Sequence, residues 1–257
     1  MTMDTRPTAI VTGASRGIGV ALTRALVQAG YAVHALARDA TRLVEEYRTE
    51  AADGRVKPAA LDVTDVGAVD AFFAGAFPAG ATLDLLFNNA GRFQSLAPVW
   101  NADVDQWWAD VTVNVRGTFL MTRAALKVMM RADCGIVVNM DGGRPPVGSG
   151  YATSKAGLME FTRTLDAELR QIGSGISVYA ANPGLVETEM TRLQMHHAVA
   201  PKWMPGLVDR LARGDTRKPE EIANKLVAQL PHMSPATSGG FFDPDTPAGT
   251  FRPLIVA

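Results

Sequence analysis

A doubly wound α/β fold, a parallel sheet of about seven strands with helices on both faces, is the fold class that this sequence predicts. Three observations carry it. Short apolar runs alternate with longer helical patterns, which implies parallel pairing and right-handed crossovers. The strand runs are apolar throughout rather than alternating, as a sheet covered on both faces requires. The first run ends in a glycine-rich turn, Gly13-Ala14-Ser15-Arg16-Gly17-Ile18-Gly19, that opens a helix.

Strands are expected at 8–12, 32–37, 56–61, 83–87, 135–140 and 176–181, each an apolar run too short for a helix. Helices are expected between them at 17–29, 41–52, 65–77, 104–131 and 151–172. After Pro183 the pattern changes. Residues 187–215 look irregular, with Met190, Leu193, Met195, Trp203, Met204, Leu207 and Val208 among polar residues, and they fall in an expected lid at about 187–217. A helix at 219–230 follows, with Pro219 at a first helical position and two glutamates behind it. Residues 238–244 allow one short last strand. No repeat or early linker divides the chain, so a single domain over 1–257 is the economical reading.

Composition narrows the function classes. Hydrophobic residues make up 47% and charged residues 20%, which suits a buried core. The net charge of -1 gives no electrostatic case for nucleic acid or an anionic membrane. Cys134 is the single cysteine, so no internal disulfide is expected. The opening, Met1-Thr2-Met3-Asp4-Thr5-Arg6-Pro7, has no apolar signal core, and no run approaches the ~20 apolar residues of a membrane span. A soluble cytoplasmic protein is expected.

The glycines fall at G-x-x-x-G-x-G. That pattern serves a pyrophosphate, which needs close backbone approach and a helix N-terminus aimed at it. The second strand run ends Leu36-Ala37-Arg38, with no acid before Arg38 to hold an NAD ribose. Arg16 and Arg38 instead suit a 2′-phosphate, since guanidinium forms charge-assisted bidentate bonds to phosphate. NADP(H) is therefore the expected cofactor. Asp39 is read as starting the next helix. Tyr151 and Lys155 stand at i and i+4, on one helix face. An ammonium beside a phenol favours the phenolate, which would bring the tyrosine nearer to proton exchange at neutral pH.

These pieces together resemble the short-chain dehydrogenase/reductase family, over about residues 8–243. The matching motifs are Thr12-Gly13 through Gly19, Asp62, Asn88-Asn89-Ala90-Gly91, Asn114, Tyr151 with Lys155, and Asn182-Pro183-Gly184-Leu185-Val186-Glu187-Thr188. The resemblance implies a Rossmann fold and a set of roles. Asp62, with Val63 beside it, would take the adenine amino group. Asn88, Asn89, Ala90 and Gly91 would lie along the cofactor. Pro183, Gly184, Val186 and Thr188 would hold the nicotinamide end. Lys155 would bind the nicotinamide ribose and lower the pKa of Tyr151, the proton donor. Asn114 would bend its helix and hold a water linking Lys155 to solvent.

One position departs from the family. Members usually carry a serine at the end of the fifth strand, and here the stretch reads Asn139-Met140-Asp141-Gly142, with Gly142 at the serine's place. The loop to Tyr151 is also about four residues shorter than usual, and Ser149 is too near in sequence to stand in. Three readings stay open. In the first, Asp141 supplies the missing contact, as an aspartate does in the family's pteridine reductases, for a carbonyl if protonated or for a C=N bond if ionised. In the second, Tyr151 acts alone with the N–H groups of Gly142 and Gly143. In the third, the fold catalyses a non-redox step, an isomerisation, cyclisation or dehydration, or binds NADP(H) without turnover.

The resemblance also places a substrate beneath the lid. Met190, Met195, Trp203 and Met204 would make that cover apolar, Phe93 with Pro145, Pro146 and Val147 would line the facing wall, and Arg144 could meet a substrate carboxylate. A hydrophobic or aromatic small molecule, of secondary-metabolite size, is expected as substrate. His196 and His197 do not share a helix face, and no acidic or cysteine cluster completes a metal site, so no metal is expected. Trp107 and Trp108 lie in the long helix through which family members pair, which implies a homo-oligomer, a dimer or tetramer.

Overall fold

The structure, a computed structural model, describes residues 6–254, so the outermost ends of the expected 1–257 domain lie outside the described residues. Its centre is an eight-stranded sheet in the order β3-β2-β1-β4-β5-β6-β7-β8. The strands are β1 (Thr8–Thr12), β2 (Ala32–Ala37), β3 (Val56–Ala60), β4 (Leu85–Asn88), β5 (Gly135–Met140), β6 (Ile176–Ala181), β7 (Gly240–Phe242) and β8 (Arg252–Pro253). All neighbours pair in parallel except β8, a two-residue strand antiparallel to β7. This is the predicted Rossmann-like fold with one extra edge strand.

The helices are α1 (Gly17–Gln28), α2 (Ala40–Glu46), α3 (Arg48–Ala52), α4 (Val66–Ala76), α5 (Val104–Val111), α6 (Thr118–Met129), α7 (Ser149–Gln171), α8 (Glu189–His196), α9 (Ala200–Trp203), α10 (Pro205–Ala212) and α11 (Pro219–Val227). Alternate strand residues serve opposite faces, as a two-residue period dictates. Val11, Phe87, Val138 and Tyr179 pack with α1 and α11 through Leu22, Leu26, Ile222 and Leu226. Ile10, Leu86, Val137 and Val178 pack on the other face with Val69, Phe73, Met121 and Leu165 from α4, α6 and α7. Both faces being covered explains why the strand runs read as uninterrupted apolar sequence.

Three expectations are corrected. The helix expected at 41–52 is two helices, because Tyr47 leaves helical geometry (φ -113°) to bury its ring, and its hydroxyl donates to the Ala14 carbonyl at 2.6 Å. The long helix is interrupted by a π-helical stretch, Thr112–Gly117, between α5 and α6. The segment expected to be irregular folds into α8, α9 and α10. Thr188 caps α8, its hydroxyl accepting from the Thr191 N–H at 3.2 Å, and prolines stand in the first turns of α9 and α10.

Candidate active site

Sheet order reverses between β1 and β4, and the carboxyl ends of the flanking strands leave a crevice there. A groove of about 1010 Å³ fills it, lined by the glycine turn, the end of β2, Asp62 and Val63, Asn89 to Gln94, Met140, Asp141, Tyr151, Lys155, Pro183 and the start of α8.

The glycine turn is shaped for close approach. Gly13 has φ +66°, and a Cβ there would lie 2.8 Å from the Ala90 Cα. A Cβ on Gly19 would lie 2.1 Å from the Gly13 carbonyl oxygen. No side chain fits at either place, so Ser15, Arg16, Gly17 and Ile18 lead bare backbone into the N-terminus of α1, where an anion is favoured. Thr12 ties this turn to the next: its hydroxyl accepts from the N–H groups of Asn89 (3.0 Å) and Ala90 (2.9 Å), and the Asn89 amide donates to the Thr12 carbonyl at 2.9 Å. Asn88 acts beneath, donating to Thr122 and to Asn139 at 2.9 Å each, which locks β4 to β5. These features fit a dinucleotide.

At the end of β2, Arg38 is exposed and makes no ion pair among the described residues, while Asp39 turns away to cap α2, accepting from the Arg42 N–H at 3.0 Å. Arg16 lines the same groove. Its guanidinium is paired with Glu189 at 2.5 Å, and Arg42 holds the same carboxylate at 2.8 Å. Those two arginines hold the Glu189 carboxyl below its usual range. Neither Arg42 nor Glu189 stood out in the sequence. Arg42 lies one helical turn beyond Arg38, and that spacing was the available signal. Asp62 accepts from the N–H (2.8 Å) and hydroxyl (2.7 Å) of Thr64. Burial pushes its carboxyl up, but these bonds and Arg38 prevail and hold it low.

Tyr151 and Lys155 sit on the first turns of α7, 8% and 3% exposed. Lys155 donates to the Met140 carbonyl at 2.6 Å, and its Nζ lies 5.5 Å from the Tyr151 ring centroid. Burial lowers the ammonium pKa to about 8, against the pull of Asp141. The phenol is pushed up, first by burial and then by Asp141. In this arrangement the lysine is aimed at a carbonyl and the ring, and desolvation, with Asp141 second, is what raises the phenol. The Tyr151 hydroxyl makes no hydrogen bond among the described residues. Phe93 stacks on its ring, with centroids 4.3 Å apart and planes 14° from parallel.

Asn114 lies fully buried in the π-helical stretch, the kind of irregularity that often marks functional sites. Its side chain donates to the Arg92 carbonyl (2.9 Å) and to Ser154 (2.8 Å) and accepts from the Arg92 N–H (2.7 Å). It therefore pins the loop after β4 to α7. Ser149 is taken by Trp107, whose indole donates to it at 3.0 Å.

Asp141 has a side chain 2% exposed and is paired with Arg144, whose two nitrogens each reach it at 3.2 Å. Arg144 is thereby turned back onto the strand end rather than into the groove. Gly142 is buried, and its N–H has no partner among the described residues.

The candidate substrate residues separate. Phe93 and Met204 pack with Leu96, Val147, Tyr151 and Ala200, and Met190 and Trp203 join them partly buried. Met190 and Leu193 face the groove; Met195 takes part in neither the cluster nor the groove lining. Pro183 and Thr188 line the groove, whereas the Val186 side chain enters the main core and Gly184 is exposed. No group of three or more His, Cys, Asp or Glu able to hold a metal, and no helix long and apolar enough to cross a membrane, occurs among the described residues.

Comparison with known proteins bears on this geometry. A family model described as short chain dehydrogenase matches residues 7–198. A putative ketoacyl reductase of the granaticin polyketide synthase of Streptomyces violaceoruber is 38% identical over 204 residues, 75% of this chain and 73% of that one. A short chain dehydrogenase of Pseudocercospora fijiensis is 36% identical over 192 residues, and the match spans 71% of this chain and 60% of that relative's length. Among solved structures, a single-residue variant of actinorhodin polyketide ketoreductase with NADPH superposes with a TM-score of 0.83 at 26% identity, covering 98% of this chain and 100% of that one.

Proposed function

This chain belongs to the short-chain dehydrogenase family, and from that premise we propose an NADPH-dependent reductase acting on the C=O bond of an apolar or aromatic, polyketide-like small molecule. The observation that carries the reading is the Tyr151 phenol: it is held protonated by burial, without a hydrogen-bond partner among the described residues, on the wall of the dinucleotide groove. A bound NADPH would supply the hydride. Tyr151 would donate the proton to the developing alkoxide. Lys155 would hold the ribose end of the cofactor and, through its charge, ease the departure of the phenol's proton. Arg38 would hold the 2′-phosphate, with Arg16 and Arg42 available once Glu189 yields them. The apolar cluster around Phe93, Met204 and Trp203 would exclude water from the reacting carbonyl.

The ketone reading is supported by the likeness to polyketide ketoreductases. It also fits Asp141, whose ion pair with Arg144 leaves it an acceptor that cannot replace a serine hydroxyl as donor. The unpartnered Gly142 N–H would then assist Tyr151. The same buried carboxylate favours a second reading, reduction of a C=N bond whose positive charge it would stabilise. Consumption of NADPH, followed by the absorbance of the reduced nicotinamide with a panel of aromatic ketones and cyclic imines, tests both. Turnover of ketones that survives in Asp141→Asn supports the first reading, and turnover of imines alone, lost in Asp141→Asn, replaces it with the second. No NADPH consumption with either class overturns the reductase proposal.

A further inference from the structure

Gly142 does not owe its place to its backbone. Its φ lies outside the left-handed region, so any residue could adopt the conformation. What excludes a side chain is Tyr151. A Cβ on Gly142 would lie 2.0 Å from the tyrosine Oη, 3.1 Å from Cζ and 3.5 Å from Cε1. The phenol oxygen thus occupies the space that a side chain at 142 would need.

The ring is closed on one face and can give way only toward the groove. Phe93, 3% exposed, stacks on one face. Phe93 is itself seated by a second glycine: a Cβ on Gly148 would lie 2.3 Å from the Phe93 Cε2, and Gly148 has φ +89°. The backbone beneath Tyr151 is held as well. Trp107 bonds to Ser149 and packs against Gly150, where a Cβ would lie 3.0 Å from the Trp107 carbonyl oxygen. The order Gly148, Phe93, Tyr151, Gly142 is therefore one packed sequence of ring and empty space.

We propose that Gly142 is a positioning residue: its missing side chain seats the Tyr151 hydroxyl against the end of β5, so that a serine at 142 would displace the phenol rather than add a second hydroxyl beside it. The substrate then meets one side-chain hydroxyl, together with the Gly142 N–H. The catalytic consequence rests on the reductase reading above; the packing does not.

Two measurements test it. Thermal unfolding of Gly142→Ala is compared in the wild-type background and in the Tyr151→Phe background, which lacks the oxygen nearest the new Cβ. The expected result is a loss of at least about 2–4 °C (the shift for a small free-energy change in a chain of this size) when the phenol is present, and a clearly smaller loss when it is not. Equal losses, or failure of both to fold, overturn the proposal. In the second measurement, Gly142→Ser is expected to lower kcat by roughly tenfold or more while the NADPH dissociation constant, read by fluorescence, stays within about twofold of wild type. A Gly142→Ser enzyme as fast as wild type or faster overturns it. If the wild type consumes no NADPH with any substrate, the reductase reading fails, and the paired unfolding comparison still decides the packing.

Discussion

Burial moves Tyr151 and Lys155 in opposite directions for one reason: a low-dielectric site disfavours whichever form is charged. The phenol is pushed up, so the protonated donor needed for reduction persists through neutral pH, and the phenolate needed for alcohol oxidation is scarce. The ammonium is lowered to about 8. It is charged below that pH and neutral above it. kcat/KM for reduction should therefore fall above about pH 8 in a pH–rate profile, and a profile that stays flat well into the alkaline range contradicts this. Asp141 raises both groups, so Asp141→Asn should move the alkaline limb to lower pH and make oxidation easier at neutral pH. Tyr151→Phe should cost about 10²–10⁴-fold in kcat, the range for a lost general acid, with NADPH affinity retained.

The start of α8 lies over the glycine turn. The Thr188 methyl carbon comes within 3.3 Å of where a Gly17 Cβ would be, and the next residue, Glu189, bridges Arg16 and Arg42. These pairs are half-exposed, and such bridges contribute only about 0–1 kcal/mol each, so a phosphate can displace the carboxylate at small cost. Arg38 needs no such exchange. Arg38→Ala should weaken NADPH binding by roughly 10–100-fold, the worth of a charge-assisted hydrogen bond, and leave NADH binding nearly unchanged. Glu189→Gln should tighten NADPH binding by up to about fivefold. Titration of cofactor fluorescence measures both, and equal effects on the two cofactors would contradict them. The sequence placed Arg42 in a helix but read the segment that holds Glu189 as irregular, and the pairing of Arg42 with Glu189 spans 147 positions and has no local signature.

At the scale of the molecule, the sheet couples stability to pH through His34 on β2. Burial against Phe72 and Phe77, with Lys57 nearby, lowers the imidazole from its ordinary 6.5 to about 4. The folded state then binds fewer protons than the unfolded chain between those values. This stabilisation is complete above about pH 6.5 and is lost as pH falls toward 4, up to on the order of 3 kcal/mol. His34→Leu should flatten that part of a plot of Tm against pH, and an unchanged slope would contradict it. The long interrupted helix leaves Trp108 and Phe119 58% and 46% exposed. We expect these rings to be covered in a homo-oligomer, which sedimentation of wild type and Trp108→Glu would show as a loss of mass in the variant.

The sequence by itself determined the sheet, because uninterrupted apolar runs and a glycine turn admit few arrangements: β1, β2, β5 and β6 fall on the predicted residues. It also marked Tyr151 and Lys155 as neighbours, since helical spacing is a local property. Tertiary structure decided what those residues do electrostatically, because desolvation depends on everything packed around them. It also turned Arg144 back to Asp141, broke the second helix at Tyr47, and placed a phenol oxygen where Gly142 has no side chain. Each of these depends on atoms brought together from distant parts of the chain or on the folded course of a loop, which no short-range pattern encodes.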